Sequence, residues 1–145
     1  MKRLVIAVLG IFLFSTQAIA GEVVRLTEHV DENGKRTIYQ TTRDVLEKCP
    51  EWKTSEELPL PVHKAVEIAT QWVKEKYPKF VNFKVVNISL SEIWDDKYKD
   101  RWYYSISVNG NVDLDGIRAN SYFSVMVLMD GTIVGPSLPK SDDQQ

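Results

Sequence analysis

Residues Arg101 to Gly135, RWYYSISVNGNVDLDGIRANSYFSVMVLMDGTIVG, decide how this chain folds. From Arg101 to Val108 apolar residues alternate with small polar ones: Trp102, Tyr104, Ile106 and Val108 share one side, and Tyr103, Ser105 and Ser107 the other. Ser121 to Met129 repeats the pattern with Phe123, Val125, Val127 and Met129. A period of two is the signature of a strand with one buried face, because successive side chains point to opposite sides. The polar stretch Asn111 to Gly116 reads as the loop between these strands, and Asp130-Gly131 as a tight turn into a short strand over Thr132 to Gly135. The expected core face is therefore Trp102, Tyr104, Ile106, Phe123, Val125 and Val127.

Upstream of that stretch, Phe80 to Trp94 supplies another strand, with Val86, Ile88 and Leu90 on one side and Asn87, Ser89 and Ser91 on the other. Its alternation slips between Val85 and Val86, which predicts a bulge or two shorter strands. The charged run Asp95 to Asp100 turns the chain. Before this strand, Val62, Ala65, Val66, Ile68, Ala69, Trp72 and Val73 recur at helical spacing, while His63, Lys64, Glu67, Gln71, Lys74 and Glu75 face away. Pro61 suits the first turn, and Tyr77-Pro78 stops the helix because a residue before proline is pushed out of the helical region. A helix of this length with one apolar face is marginal alone in water and must lie on a sheet. The predicted fold is thus α+β: one main amphipathic helix packed on an antiparallel β-meander of three to four strands, preceded by an N-terminal β-hairpin.

That hairpin is read from Glu22 to Val30 and Lys35 to Thr42, joined across Asn33-Gly34, a pair suited to the positive φ angles of a type I′ turn. Ile38 and Tyr39 are the candidates for its inward side. One or two helical turns are expected over Thr42 to Lys48, with Thr41 or Thr42 as cap. Pro50, Pro59 and Pro61, with Glu51, Glu56 and Glu57, mark an extended connector from Cys49 to Pro61. The piece VDENGKRTIYQT resembles the N-terminal hairpin of a family of exported bacterial proteins with a V-D-x-x-G turn and an aromatic strand. His29 departs from that family, which has an aromatic there.

Residues 1–20 differ from the rest: Lys2 and Arg3, then the apolar run Leu4 to Phe14, then Ala18-Ile19-Ala20 with small residues at the cleavage positions. This is the pattern of a secretory signal peptide, and the run is short of the roughly 20 apolar residues that span a bilayer. The expected organisation is a signal peptide over 1–20, hairpin and connector over 21–60, the helix-plus-sheet domain over 61–135, and a mobile tail over 136–145. The expected location is the periplasm or the exterior, with no stable membrane anchor after cleavage.

Without Lys2 and Arg3, the 18 basic residues become 16 against 20 acidic ones, a net charge of −4. A phosphate-binding surface favours the opposite sign, so nucleic acid is not an expected partner. Cys49 is the one cysteine, which excludes an internal disulfide and leaves a monomer or a Cys49-linked dimer.

Motifs with chemical content are few. Asn111, Asp113 and Asp115 with Gly116 reproduce the first half of a calcium loop, but the twelfth position is Tyr122 where a bidentate Glu is needed. Calcium is the only cofactor the sequence suggests. Cys49 with His29 or His63 lacks any local nucleophile signature, two His and one Cys show no zinc-ligand spacing, and no Gly-x-Ser-x-Gly or Ser-x-x-Lys pattern occurs. Trp94, Tyr98, Tyr103 and Tyr122 are the candidate partner-binding residues. If the helix covers the Trp102 side, Tyr103 and Tyr122 fall on the sheet's open face, where amphipathic aromatics make contacts with partners, or else lie half-buried under the hairpin.

The helix AVEIATQWVKEKY, the strand WYYSISV and the segment YFSVMVLMDGTIVG together resemble the PepSY-type layout, a helix followed by strands that end in an aromatic-rich strand and a D-G turn. The same order is similar to small cystatin-like and NTF2-like domains, including bacterial immunity proteins. The resemblance implies an exported domain that binds or inhibits another exported protein, a peptidase or a toxin. The expected function is a non-enzymatic protein-binding module acting through the open sheet face, an exposed edge or the loops. The alternatives are a small hydrolase or ligand-binding domain with a pocket between helix and curved sheet, and a calcium-stabilised envelope protein.

Overall fold

A computed structural model describes residues 21–30, 33–114 and 117–136, with side chains throughout except at 113, 114, 117 and 118. Residues 1–20, Asp31, Glu32, Asp115, Gly116 and the last nine residues lie outside the described residues. The element order is β1 (Val23–Val30), β2 (Arg36–Thr42), α1 (Arg43–Lys48), α2 (Val62–Lys76), β3 (Phe80–Glu92), a 3-10 turn (Asp96–Tyr98), β4 (Trp102–Leu114), β5 (Ile117–Leu128) and β6 (Ile133–Val134). The fold is α+β. It contains two antiparallel sheets, β1-β2 and β3-β4-β5-β6, and one main helix.

Residues facing each other across β4 and β5 are Tyr104 and Val127, Ile106 and Val125, and Val108 and Phe123. Tyr104, Ile106, Val108, Val125 and Val127 are all essentially without solvent contact. α2 packs over this face through Ala65, Ala69 and Val73, which recur every four residues and so align along one stripe. Their small or β-branched side chains let the helix approach the sheet closely. Pro61 precedes the helix, at the cap position, with an extended backbone, and Val62 after it stays exposed.

β3 carries two irregularities, between Val81 and Lys84 and between Val85 and Asn87. Asn82 takes a φ of 52° at the first, a left-handed conformation that Asn tolerates better than most residues. That bulge folds Phe83 onto β4 at Gly110, where no side chain would fit: an added Cβ would lie 2.6 Å from Phe83 Cβ and 2.8 Å from Phe80 Cζ. The second irregularity is the slip visible in the sequence. Val86 and Ile88 are left 45% and 40% exposed, so this part of β3 lies beyond the helix.

The opposite face of the large sheet is covered by the N-terminal segment. The Tyr39 hydroxyl donates to the Ser124 carbonyl at 2.9 Å, and Tyr103 is hydrogen-bonded with the side chains of Thr27 and Ser91. Val24, Leu26, Tyr39, Leu46 and Cys49 belong to the same buried cluster as Tyr103, Met126, Leu128 and Val134. The one buried polar side chain among the described residues, Ser107, meets Ser124 directly across the ladder, with Oγ atoms 2.9 Å apart.

The proline-bearing connector is part of the packing. Trp52 donates its backbone N–H to the Asp100 carbonyl at 2.7 Å, and its ring meets Trp102 edge-on at 5.2 Å. Leu58 and Leu60 pack on the core, and the Tyr104 hydroxyl donates to the Leu60 carbonyl at 2.8 Å.

Candidate functional site

Two of the four aromatic residues picked out from the sequence are not at the surface. Tyr103 is 5% exposed: β1 covers the sheet face expected to be open, and burial pushes the phenol above its ordinary range. Tyr98 is buried too, because the 3-10 turn folds inward. Trp94 and Tyr122 are exposed, at 95% and 54%. Trp94 stands just past β3, and Tyr122 borders the large cleft described below.

The stretch Asn111 to Gly116 is not a six-residue loop. β4 runs to Leu114 and β5 begins at Ile117, with Asn111 opposite Asn120 and Asp113 opposite Arg118. Both candidate ligands Asn111 and Asp113 thus sit in a continuous ladder, which does not wrap around an ion as a calcium loop does. Asp115 lies outside the described residues. Among the described residues no group of three or more His, Cys, Asp or Glu is arranged to hold a metal ion. Cys49 is buried against β5, and burial pushes its thiol above the ordinary range, so it stays protonated at neutral pH. A reactive thiol needs the opposite shift.

The prominent concavity is a cleft of about 1100 Å³ at one end of the molecule. Four parts of the chain build it: the ends of β1 and β2 that face the turn, with His29, Val30, Lys35, Thr37 and Tyr39; the end of α2 and start of β3, with Lys76, Tyr77, Pro78, Lys79 and Phe80; β4 and β5, with Val112, Ser121, Tyr122, Phe123 and Ser124; and Pro136 after β6. Pro78 ends α2 at Tyr77, whose backbone leaves the helix while its N–H still reaches the Val73 carbonyl at 2.9 Å. The Phe80 N–H then closes a turn onto the Tyr77 carbonyl at 2.8 Å. This turn brings Lys76, Tyr77, Lys79 and Phe80 together at the cleft.

The floor is a connected aromatic array. Tyr77 meets Phe123 edge-on at 5.1 Å, Phe123 meets Phe80 at 5.2 Å, and Phe80 stacks on Phe83 at 5.4 Å. Trp72 supports Tyr77 from behind at 5.6 Å. Tyr39 uses its hydroxyl to tie β2 to β5 and offers its ring to the cleft. Around this floor stand His29, Lys35, Lys76 and Lys79, and no carboxylate is among the described lining residues. Lys76 and Lys79 make no salt bridge among the described residues, although the protein as a whole is acidic. An apolar floor with a cationic rim binds a ligand that combines apolar groups with negative charge.

Of the cleft residues only Tyr122 stands out in the sequence as a binding candidate. The signal that marks the others is local: in the run Lys74 to Phe80, KEKYPKF, lysines interleave with aromatics around a helix-stopping proline. Their partners on β1, β2 and β5 are brought together by the tertiary fold. No protein-family model matches the chain, and comparison with curated proteins and with solved structures finds no significant match.

Proposed function

We propose that this protein is an exported, non-enzymatic binding module that takes an acidic, apolar-bearing segment of another protein in the cleft between the β1-β2 end, the end of α2 and β5. In this reading the two sheets are a β-hairpin and a four-stranded meander, and the hairpin forms one wall of the site. The observation that carries it is the pairing of a connected aromatic floor with Lys76 and Lys79, which make no salt bridge among the described residues, in a cleft of about 1100 Å³. That volume is just above the range for drug-sized ligands and suits several side chains of a peptide segment. The leader-like residues 1–20 and the resemblance to PepSY-type and cystatin-like domains, which engage other exported proteins, point the same way.

The test compares capture from an envelope extract by the wild type and by Lys76→Glu/Lys79→Glu, a double variant at two exposed positions. A bound protein retained by the wild type should bind roughly tenfold more weakly to the variant, as expected for two rim ion pairs of about 0.7 kcal/mol each. It should also elute at moderate salt. Equal retention by both proteins would refute the cleft as the binding site. The second reading, a ligand-binding domain, rests on the same volume, and a small adduct in native mass spectrometry that the double variant lacks would favour it.

A further inference from the structure

The four-stranded sheet has two edges of unequal character: β6 is two residues long and β3 is thirteen. The Ile93 N–H donates to the Arg101 carbonyl at 2.9 Å, which fixes the phase of the β3-β4 ladder. Counting back by twos, Ser91, Ser89 and Asn87 turn their backbone groups toward β4, while Ile88 and Leu90 turn theirs away from it. Among the described residues no backbone group pairs with that outer edge between Asn87 and Ser91. Proteins guard such edges with charge, proline or bulges, and none of these falls within Asn87 to Ser91. The bulges lie before it, and Glu92 after it is engaged by the Asp100 N–H at 2.9 Å. Exposed apolar side chains gather along the same edge: Val86, Ile88 and, just past its end, Trp94.

We propose that β3 is the interface between two copies of this chain, paired antiparallel about a two-fold axis at Ser89. The strand is self-complementary in this register. Ile88 of each copy faces Leu90 of the other as a hydrogen-bonded pair, Asn87 faces Ser91, and Ser89 faces itself in a non-hydrogen-bonded pair. No like charges oppose each other within the pairing, and beyond its ends Val86 of each copy falls opposite Glu92 of the other, with Trp94 two residues further on. A two-fold at Leu90 would instead draw Glu92, already engaged by the Asp100 N–H, into the pairing opposite Ile88. A two-fold at Ile88 would draw the bulge at Val86 into the pairing. A five-residue strand pairing with one tryptophan at each end buries less than the roughly 1,200 Å² of a stable interface, so the dimer dissociates on dilution.

The register gives a cross-link with an internal control. Facing residues of a non-hydrogen-bonded pair have Cα atoms about 4.5 Å apart, within disulfide range, so Ser89→Cys should form a covalent dimer on mild oxidation. In Asn87→Cys the two thiols are offset by four residues, about 13 Å, and should not link. Wild-type protein, whose Cys49 is buried, should stay uncross-linked. By sedimentation equilibrium the wild type should pass from monomer to dimer with rising concentration, with Trp94 emission moving to shorter wavelength, and Ile88→Lys should weaken association at least tenfold. Wild type that remains monomeric to about 1 mM by the mass-action criterion, or equal cross-linking at positions 87 and 89, would overturn the proposal.

Discussion

Gly110→Ala tests how the bulge in β3 builds the floor of the cleft. The new methyl would sit 2.6 Å from Phe83 Cβ, 2.8 Å from Phe83 Cα and 2.8 Å from Phe80 Cζ. Ordinary carbon contacts need about 3.5 Å or more, so β3 must retreat by about 0.8 Å. Two of the three contacts are to the backbone and Cβ of Phe83, which cannot swing aside as a side-chain tip can. Overpacking of this kind costs about 1–3 kcal/mol, and backbone contacts put it at the upper end. The loss of glycine's freedom in the unfolded chain returns about 0.5 kcal/mol. A net loss of about 2 kcal/mol corresponds to a Tm lower by roughly 6–12 °C for a domain of this size. Thermal unfolding followed by circular dichroism reads the effect, and near-ultraviolet signals of the Phe80, Phe83 and Phe123 rings should change with it. Gly135→Ala is the comparison: its methyl would meet Trp72 Cη2 and Cζ2 at 2.8 Å, the tip of a half-buried ring that can tilt. A drop under about 2 °C for Gly110→Ala, or a larger drop for Gly135→Ala, would refute the reasoning, since about 1 kcal/mol already moves Tm by more than that.

Tyr39→Phe removes the hydroxyl that ties β2 to Ser124; a loss of about 1 kcal/mol is expected, with faster hydrogen exchange concentrated in β1 and β2, and unchanged exchange there would contradict the tie. Cys49 should react with a thiol reagent at pH 8 about a hundredfold more slowly in the native protein than in denaturant, reflecting its burial and raised pKa; equal rates would place the thiol at the surface. Burial raises the phenols of Tyr39 and Tyr103 above 10.0 and the Cys49 thiol above 9.0. The unfolded chain therefore loses these protons first, and the stability they contribute is full below pH 9 and lost as pH rises through the native values; urea midpoints at pH 8, 9.5 and 10.5 (roughly spanning the unfolded values) should fall in that order, and a rise would reverse the assignment. Calcium should leave the unfolding midpoint unchanged, because Asn111 and Asp113 are held in the β4-β5 ladder; a concentration-dependent increase would show that the ion binds the native state.

Alternation along Trp102 to Val108 and Phe123 to Met129 identifies the side chains that form the buried face, because period two leaves no freedom once one face is dry. Helical spacing at Ala65, Ala69 and Val73 identifies the stripe that covers it, and the slip beside Val86 marks a real irregularity. Local chemistry also stops α2 at Tyr77-Pro78. The strand ends were less legible. Asn111 to Leu114 is polar enough to read as a loop, yet it is ladder, since cross-strand pairing with Ile117 to Asn120 satisfies its backbone regardless of side-chain polarity.

The candidate site was the least legible part. Tyr103 and Tyr122 look equivalent in the sequence, yet one is buried under β1 and the other borders the cleft. What separates them is which face the β1-β2 sheet covers, a contact between residues 76 positions apart at Thr27 and Tyr103. The sequence by itself determined what repeats locally: strand and helix periods, the proline stop, the apolar face of the sheet, the excess of acid. The tertiary structure alone decided that the second face is closed, that Lys76 and Lys79 meet His29 and Lys35 around one aromatic floor, and that the outer edge of β3 is left unpaired. These depend on long-range packing, which follows from the summed burial of distant segments and leaves no periodic mark on any one of them.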